Sequence, residues 1–174
     1  MPMDSSLLPE FRELAAAHLE SAYNLARWLV RDRALADDVV QDAMLRALRY
    51  YHGFRGENAR AWLLQIVRNV AMTRLKRGSE EAAGDANSAS AALEVAHDGP
   101  ETALMRQEEQ RLLHDLLGSL PVELRECLIL REIEELSYKE IARVVGAPIG
   151  TVMSRLWRGR KLLVQAAART TEAV

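Results

Sequence analysis

The stretch GSEEAAGDANSASAALEVAHDGPET, from Gly78 to Thr102, restricts what this chain can fold into more than any other feature. It is rich in Gly, Ser, Ala and acid, and Leu93 and Val95 are its only large apolar residues. Such a segment cannot bury enough surface to offset its ordering entropy, so it is expected as a linker. A structureless loop of this length is uncommon inside one compact domain. The sequence therefore predicts two small domains, residues 1–77 and 103–174, joined by an acidic, flexible tether at 78–102. A chain of 174 residues is long enough for both.

Charge follows the same division. The net charge of −2 argues against indiscriminate polyanion binding. Residues 78–101, however, hold six acids and no Lys or Arg, while the flanking blocks are slightly basic. The acid excess is local.

Both blocks have helical periodicity. Pro and Gly are absent from Glu10 to His52, and apolar residues recur three and four apart around Leu14 and Leu25 to Leu29. Asp32 and Asp37 suggest a stop and a start around a turn at 31–35. A helix follows from about Ala36 to Tyr51, with Val39, Val40, Ala43, Met44, Ala47 and Leu48 as its buried stripe. Asn58 is expected to cap a further helix ending near Arg77. In the second block, a helix from about Ala103 ends at Gly118, and Ser119 with Pro121 opens another to about Glu134. Ser137-Tyr138-Lys139-Glu140 has capping-box spacing for a helix ending at Gly146. A last helix runs from Ile149 to about Ala168. No strand pattern competes, and with aromatics at 5% a strand-rich fold is disfavoured; the expected class is all-α.

Enzyme chemistry finds no support. His18, His52, His97 and His114 are dispersed, with no metal-ligand spacing, no cofactor loop and no partner for the lone Cys127. Cys127 lies on an apolar face beside Leu124 and Leu128, as a buried structural thiol would. A single cysteine suits a reducing cytoplasm, and neither a signal peptide nor a membrane-spanning stretch is evident.

The last two helices carry the clearest chemistry. A short capped helix, a turn at Gly146-Ala147-Pro148 and a longer helix form a helix-turn-helix, whose second helix enters the DNA major groove. Thr151, Ser154, Arg155 and Arg158 recur on its polar side, and Arg143 to Thr171 contains six basic residues and no acid. Basic groups there release counterions from phosphate, and Arg can also read guanine edges.

The stretch LPVELRECLILREIEELSYKEIARVVGAPIGTVMSRLWRGRKLL resembles the promoter-recognition domain of bacterial extracytoplasmic-function (ECF) sigma factors of the sigma-70 family. Independently, ADDVVQDAMLRALRYYHGFRGENARAWLLQIVRNVAMTRLKR resembles that family's core-binding and melting domain. The two occur in the family's order. The resemblance implies a cytoplasmic transcription-initiation subunit whose partners are core RNA polymerase, through its largest-subunit coiled coil and flap, promoter DNA, and an anti-sigma factor. No cofactor or metal is implied. A stand-alone helix-turn-helix regulator, or a sigma-like decoy, would leave one of the two stretches unused.

Residue by residue, the resemblance assigns polymerase binding to Asp38, Gln41, Asp42, Leu45 and Arg46, where a Leu outside the buried stripe sits among polar groups as an anchor does. It assigns the −10 element, duplex opening and single-strand capture to Arg55, Asn58, Arg60, Arg68, Asn69, Arg74, Lys76 and Arg77. Trp62 could stack on a base, but its spacing with Ile66 and Val70 favours the core. The −35 element falls to Pro148, Gly150, Thr151, Ser154, Arg155, Trp157, Arg158 and Lys161. Met153 departs from the pattern, standing where relatives often carry Lys or Arg. In relatives the linker threads towards the RNA exit path; the acid here is either solvated spacer or a nucleic-acid mimic.

Overall fold

Arg31 ends one helix and Asp32 begins the next. In the computed structural model, which describes residues 7–56, 58–82 and 100–172 (side chains from Leu8 and, in the third span, for residues 107–170), α1 spans Leu7–Val30. Arg31 closes it in the left-handed region, with φ of 57°. The Asp32 carboxylate accepts from the Leu35 backbone N–H at 2.7 Å and caps α2, Arg33–Tyr50. Such a cap contributes about 1 kcal/mol. The expected turn at 31–35 is thus two residues, and α2 begins three residues before Ala36. A 3₁₀ turn at Tyr51–Gly53 leads to Asn58, whose side-chain oxygen accepts from Ala61 N–H and caps α3, Ala59–Ala82. α3 continues through Gly78, because a glycine in helical conformation costs only about 1 kcal/mol and stops a helix only where the chain turns left-handed. The other end of the proposed linker, residues 83–99, lies outside the described residues, as does Glu57.

The second half contains α4 (Pro100–Gly118), α5 (Val122–Leu128), α6 (Tyr138–Val145) and α7 (Ile149–Glu172). α5 does not run on to Glu134 as a regular α-helix. It widens into a π turn, Ile129–Ile133, in which Glu134 N–H donates to Ile129 O at 3.0 Å. The Ser137–Glu140 capping box forms in both directions, and Gly146 takes φ of 68°, a conformation disfavoured for side-chain-bearing residues. Among the described residues every regular element is helical.

One apolar cluster runs across both halves. Leu25 and Leu29 of α1, Val39 and Ala43 of α2, and Leu64 and Val67 of α3 join Leu117, Cys127, Ile129, Ile141, Val152 and Leu156. Periodicity pointed to the α1 and α2 faces. On α3 the fully buried face is Leu64, Val67 and Val70, with the expected Trp62 and Ile66 half-buried at its edge. The mutual packing places α1 and α3 directly against α5 and α6. Phe11, Ala47 and Leu63 form a smaller cluster beneath an aromatic corner of Tyr51 and Trp62, with Phe54 beside them. No helix among the described residues is long and apolar enough to cross a membrane.

Candidate nucleic-acid interface and the contact between the halves

The outer face of α2 is open. Asp38, Gln41, Leu45 and Arg46 are exposed, Leu45 at 65%, because they fall off the Val39–Val40–Ala43–Ala47 stripe. Asp42 is half-buried. It accepts from Arg46 Nε at 3.0 Å and Nη2 at 3.1 Å, and Arg74 approaches it at 3.8 Å. The result is an apolar knob beside a fixed carboxylate.

The basic side of α3 is divided. Arg55, Asn69, Lys76 and Arg77 are exposed. Asn58, Arg60 and Arg68 instead meet acids of the second half. Arg68 donates through Nε at 2.7 Å and Nη2 at 3.0 Å to Glu126, a bidentate pair whose carboxylate is fully buried. Arg60 donates to the Glu134 carboxylate at 2.6 Å and to the Glu134 backbone carbonyl. The π turn places carbonyl and side chain within reach of one guanidinium. Asn58 Nδ2 donates to Glu140, the same carboxylate that completes the Ser137 cap. Trp62 is half-buried, with its ring centroid 4.7 Å from that of Phe54, so it packs in the aromatic corner.

Glu126 also faces α7. Arg155 Nη1 lies 3.5 Å from its Oε1, so one buried carboxylate holds an arginine from each of the two candidate DNA surfaces. Burial raises the Glu126 pKa, while Arg68 and then Arg155 pull it down. The Glu126 hydrogen bond raises the Arg68 pKa and keeps that guanidinium charged. Cys127, its neighbour, is fully buried, and burial pushes its pKa up to about 11, so at neutral pH it is an inert thiol.

A second cluster closes the contact at the other end. Arg125 donates to Leu29 O at 3.0 Å and to Gly118 O at 3.3 Å. Arg31 Nη2 lies 3.3 Å from Nδ1 of His114, and the His114 ring sits 5.8 Å from that of Trp28. A Cβ on Gly118 would lie about 2 Å from the Arg31 guanidinium, so Arg31 crosses the helix end only because residue 118 lacks one. His114 is 7% exposed, and its Nε2 has no hydrogen-bond partner among the described residues. Burial, and then Arg31, lower its pKa.

The remaining candidates lie on α7. Pro148, Gly150, Ser154, Arg158 and Lys161 are exposed and Thr151 is half-buried, while Val152 and Leu156 are buried. Trp157 is 64% exposed, with Lys161 Nζ 5.0 Å from its ring centroid. Arg155 leaves this face for Glu126. The acids and His114 that organise the contact are not among the residues that the sequence singled out for binding. Glu126 and His114 interrupt mainly apolar runs, the one local sign that a partner was required, whereas Glu134 and Glu140 stand among other charged residues and give no such sign.

Two family models match the chain: Sigma-70 region 2 over residues 14–81, and Sigma-70, region 4 over residues 110–163. The chain is 38% identical over 145 residues to the RNA polymerase sigma-H factor of Pseudomonas aeruginosa, covering 79% of this chain and 75% of that one. It is 35% identical over 136 residues to the ECF RNA polymerase sigma-E factor of Escherichia coli K12, covering 72% and 70%. Among solved structures, it is similar to the sigma factor RpoE of Bartonella quintana in complex with the anti-sigma factor NepR. That match has a TM-score of 0.77 at 27% identity, over 92% of this chain and 98% of that chain.

Proposed function

The chain belongs to the extracytoplasmic-function sigma factors of the sigma-70 family, and from that premise we propose how its surfaces divide the work of initiation. As an RNA polymerase sigma factor it binds core polymerase and directs it to promoter DNA. The stand-alone regulator and the decoy are not favoured, since both family regions match.

In the proposed division, α2 docks the polymerase coiled coil through Leu45, with Asp38, Gln41, Asp42 and Arg46 as its polar rim. The first domain, residues 1–77, captures the opened −10 strand with Arg55, Asn58, Arg60, Arg68, Asn69, Arg74, Lys76 and Arg77. The second, residues 103–174, reads the −35 duplex with Pro148, Gly150, Thr151, Ser154, Arg155, Trp157, Arg158 and Lys161, and the tether between α3 and α4 lets the two reach separate elements. The subunit acts in the cytoplasm and supplies binding rather than catalysis of its own.

The observation that carries this reading is the unequal exposure of the surfaces. The α2 face is free, whereas Asn58, Arg60 and Arg68 are held by Glu140, Glu134 and Glu126. The packed form is the resting state, and polymerase docking on α2 precedes separation of the halves and release of those groups to DNA. The likeness to a relative solved with an anti-sigma factor supports such a factor as a further partner of this chain.

In-vitro transcription with purified core polymerase tests the reading. Promoter-specific transcripts are expected from the full chain. Duplex binding without core and no transcripts would support a stand-alone regulator, and neither activity would support a decoy.

A further inference from the structure

The outward side of α7 is not simply basic. Ile149, Met153 and Trp157 stand one turn apart and are 45%, 52% and 64% exposed. All are unusually open for large apolar side chains, yet α7 buries Val152 and Leu156 fully on its other face. Exposed Gly150, Ser154, Arg158 and Lys161 border the stripe, and no acid lies between Arg143 and Thr171. Its surroundings thus match a polyanion.

A DNA major groove offers polar groups along nearly all of its base edges. Its one distinctive apolar substituent is the 5-methyl group of thymine. Met153 has neither a charge for phosphate nor a donor for guanine. Its unbranched thioether is well able to adapt to a methyl group. Trp157 is held by Lys161 over its ring, giving Met153 a fixed neighbour on the C-terminal side. Ile149 flanks it on the N-terminal side.

Building on the assignment of α7 as the −35-reading helix, we propose that Met153 is a specificity-determining residue that reads thymine in the −35 element through its 5-methyl group. The element selected by this chain should contain at least one thymine that contributes through that methyl rather than through hydrogen bonding.

The test uses holoenzyme assembled from core polymerase and the full chain. A −35 sequence is selected from a randomised promoter library, and each of its thymines is then replaced singly by deoxyuridine, which removes only the methyl. At one position the wild type should lose about threefold to fivefold in promoter affinity. Met153→Ala should abolish that discrimination while assembling with core normally, and Met153→Arg should shift the preferred base there towards guanine. A selected element without thymine, equal affinity for thymine and uracil at every position, or discrimination that persists in Met153→Ala would overturn the proposal. A wild-type holoenzyme giving no promoter-specific transcripts would overturn the −35 assignment, and the thymine proposal with it.

Discussion

The outer face of α2 and the basic side of α3 begin from the same sequence signal, polar residues off a buried helical stripe, and end in different states. Leu45 and its neighbours face solvent. Asn58, Arg60 and Arg68 are occupied from across the molecule. Amphipathicity reveals which side of a helix is turned away from its own domain, but not whether another domain will cover that side. In the proposed division the polymerase-docking surface is available at rest and part of the DNA surface is not, and on that difference we propose polymerase docking as the first step.

The largest expected effect lies on the open surface. Leu45→Asp should weaken holoenzyme assembly at least tenfold, as removal of a central apolar anchor does, while leaving the fold intact. Charge reversal at Asp42 should act in the same direction but also disturb Arg46 and Arg74. Assembly measured by native electrophoresis checks both, and unchanged assembly would erase the contrast between the two surfaces.

On the closed surface the expectation is a gain. Glu134→Gln and Glu126→Gln remove charges that hold Arg60 and Arg68. Fluorescence anisotropy should show the isolated chain binding single-stranded −10 DNA about fivefold more tightly. Two positions are used because Glu126 is fully buried and its replacement could also affect folding. Unaltered affinity in both folded variants would mean that the acids do not compete with DNA.

Arg158→Ala on α7 should lower promoter binding and reduce the slope of log affinity against log salt by about one. Core binding should persist, since Arg158 lies far in sequence from the α2 face.

A smaller effect comes from pH. The depressed His114 pKa means that the neutral ring stabilises the packed form. That contribution is complete above the ordinary histidine value of about 6.5 and is lost as pH falls through the lowered value. A proton would add positive charge beside Arg31, with Arg125 nearby on α5 and only the largely exposed Asp115 opposing it. Glu126, with a raised pKa, acts in the opposite sense at its own titration. Energy transfer between dyes on the two halves should fall as pH drops from 7.5 towards 5.5, and His114→Gln should flatten that response. An identical pH profile in the variant would remove His114 from the mechanism.

Much of the local structure was legible in the sequence because local rules govern it. Asn58 and Ser137 cap helices by side chains three residues from their partners, Gly146 supplies a left-handed turn, and Leu45 falls outside a stripe. Cys127 is buried, as its apolar neighbours implied. Other features depend on distance. Arg68 and Glu126 are 58 positions apart, and no periodicity links them. The π turn at Ile129–Ile133 has no Gly or Pro to announce it, yet it delivers Glu134 to Arg60. Arg155 shares the polar pattern of the proposed DNA-reading face, and only the packing of the two halves turns it towards Glu126. α3 runs past the expected end near Arg77, because Gly78 tolerates the helical conformation and Ser79 to Ala82 sustain the helix.

The central claim is that the packed form binds polymerase but cannot initiate until the halves separate. Arg31 and Asp115 approach to 3.9 Å across the contact and belong to neither proposed DNA surface. Cysteines at these two positions, with Cys127→Ser, allow a short thiol-cleavable bismaleimide to tether the halves. The linked chain should bind core polymerase as the unlinked chain does, yet give no promoter-specific transcript until the linker is cleaved. Full transcription from the linked chain would contradict the account.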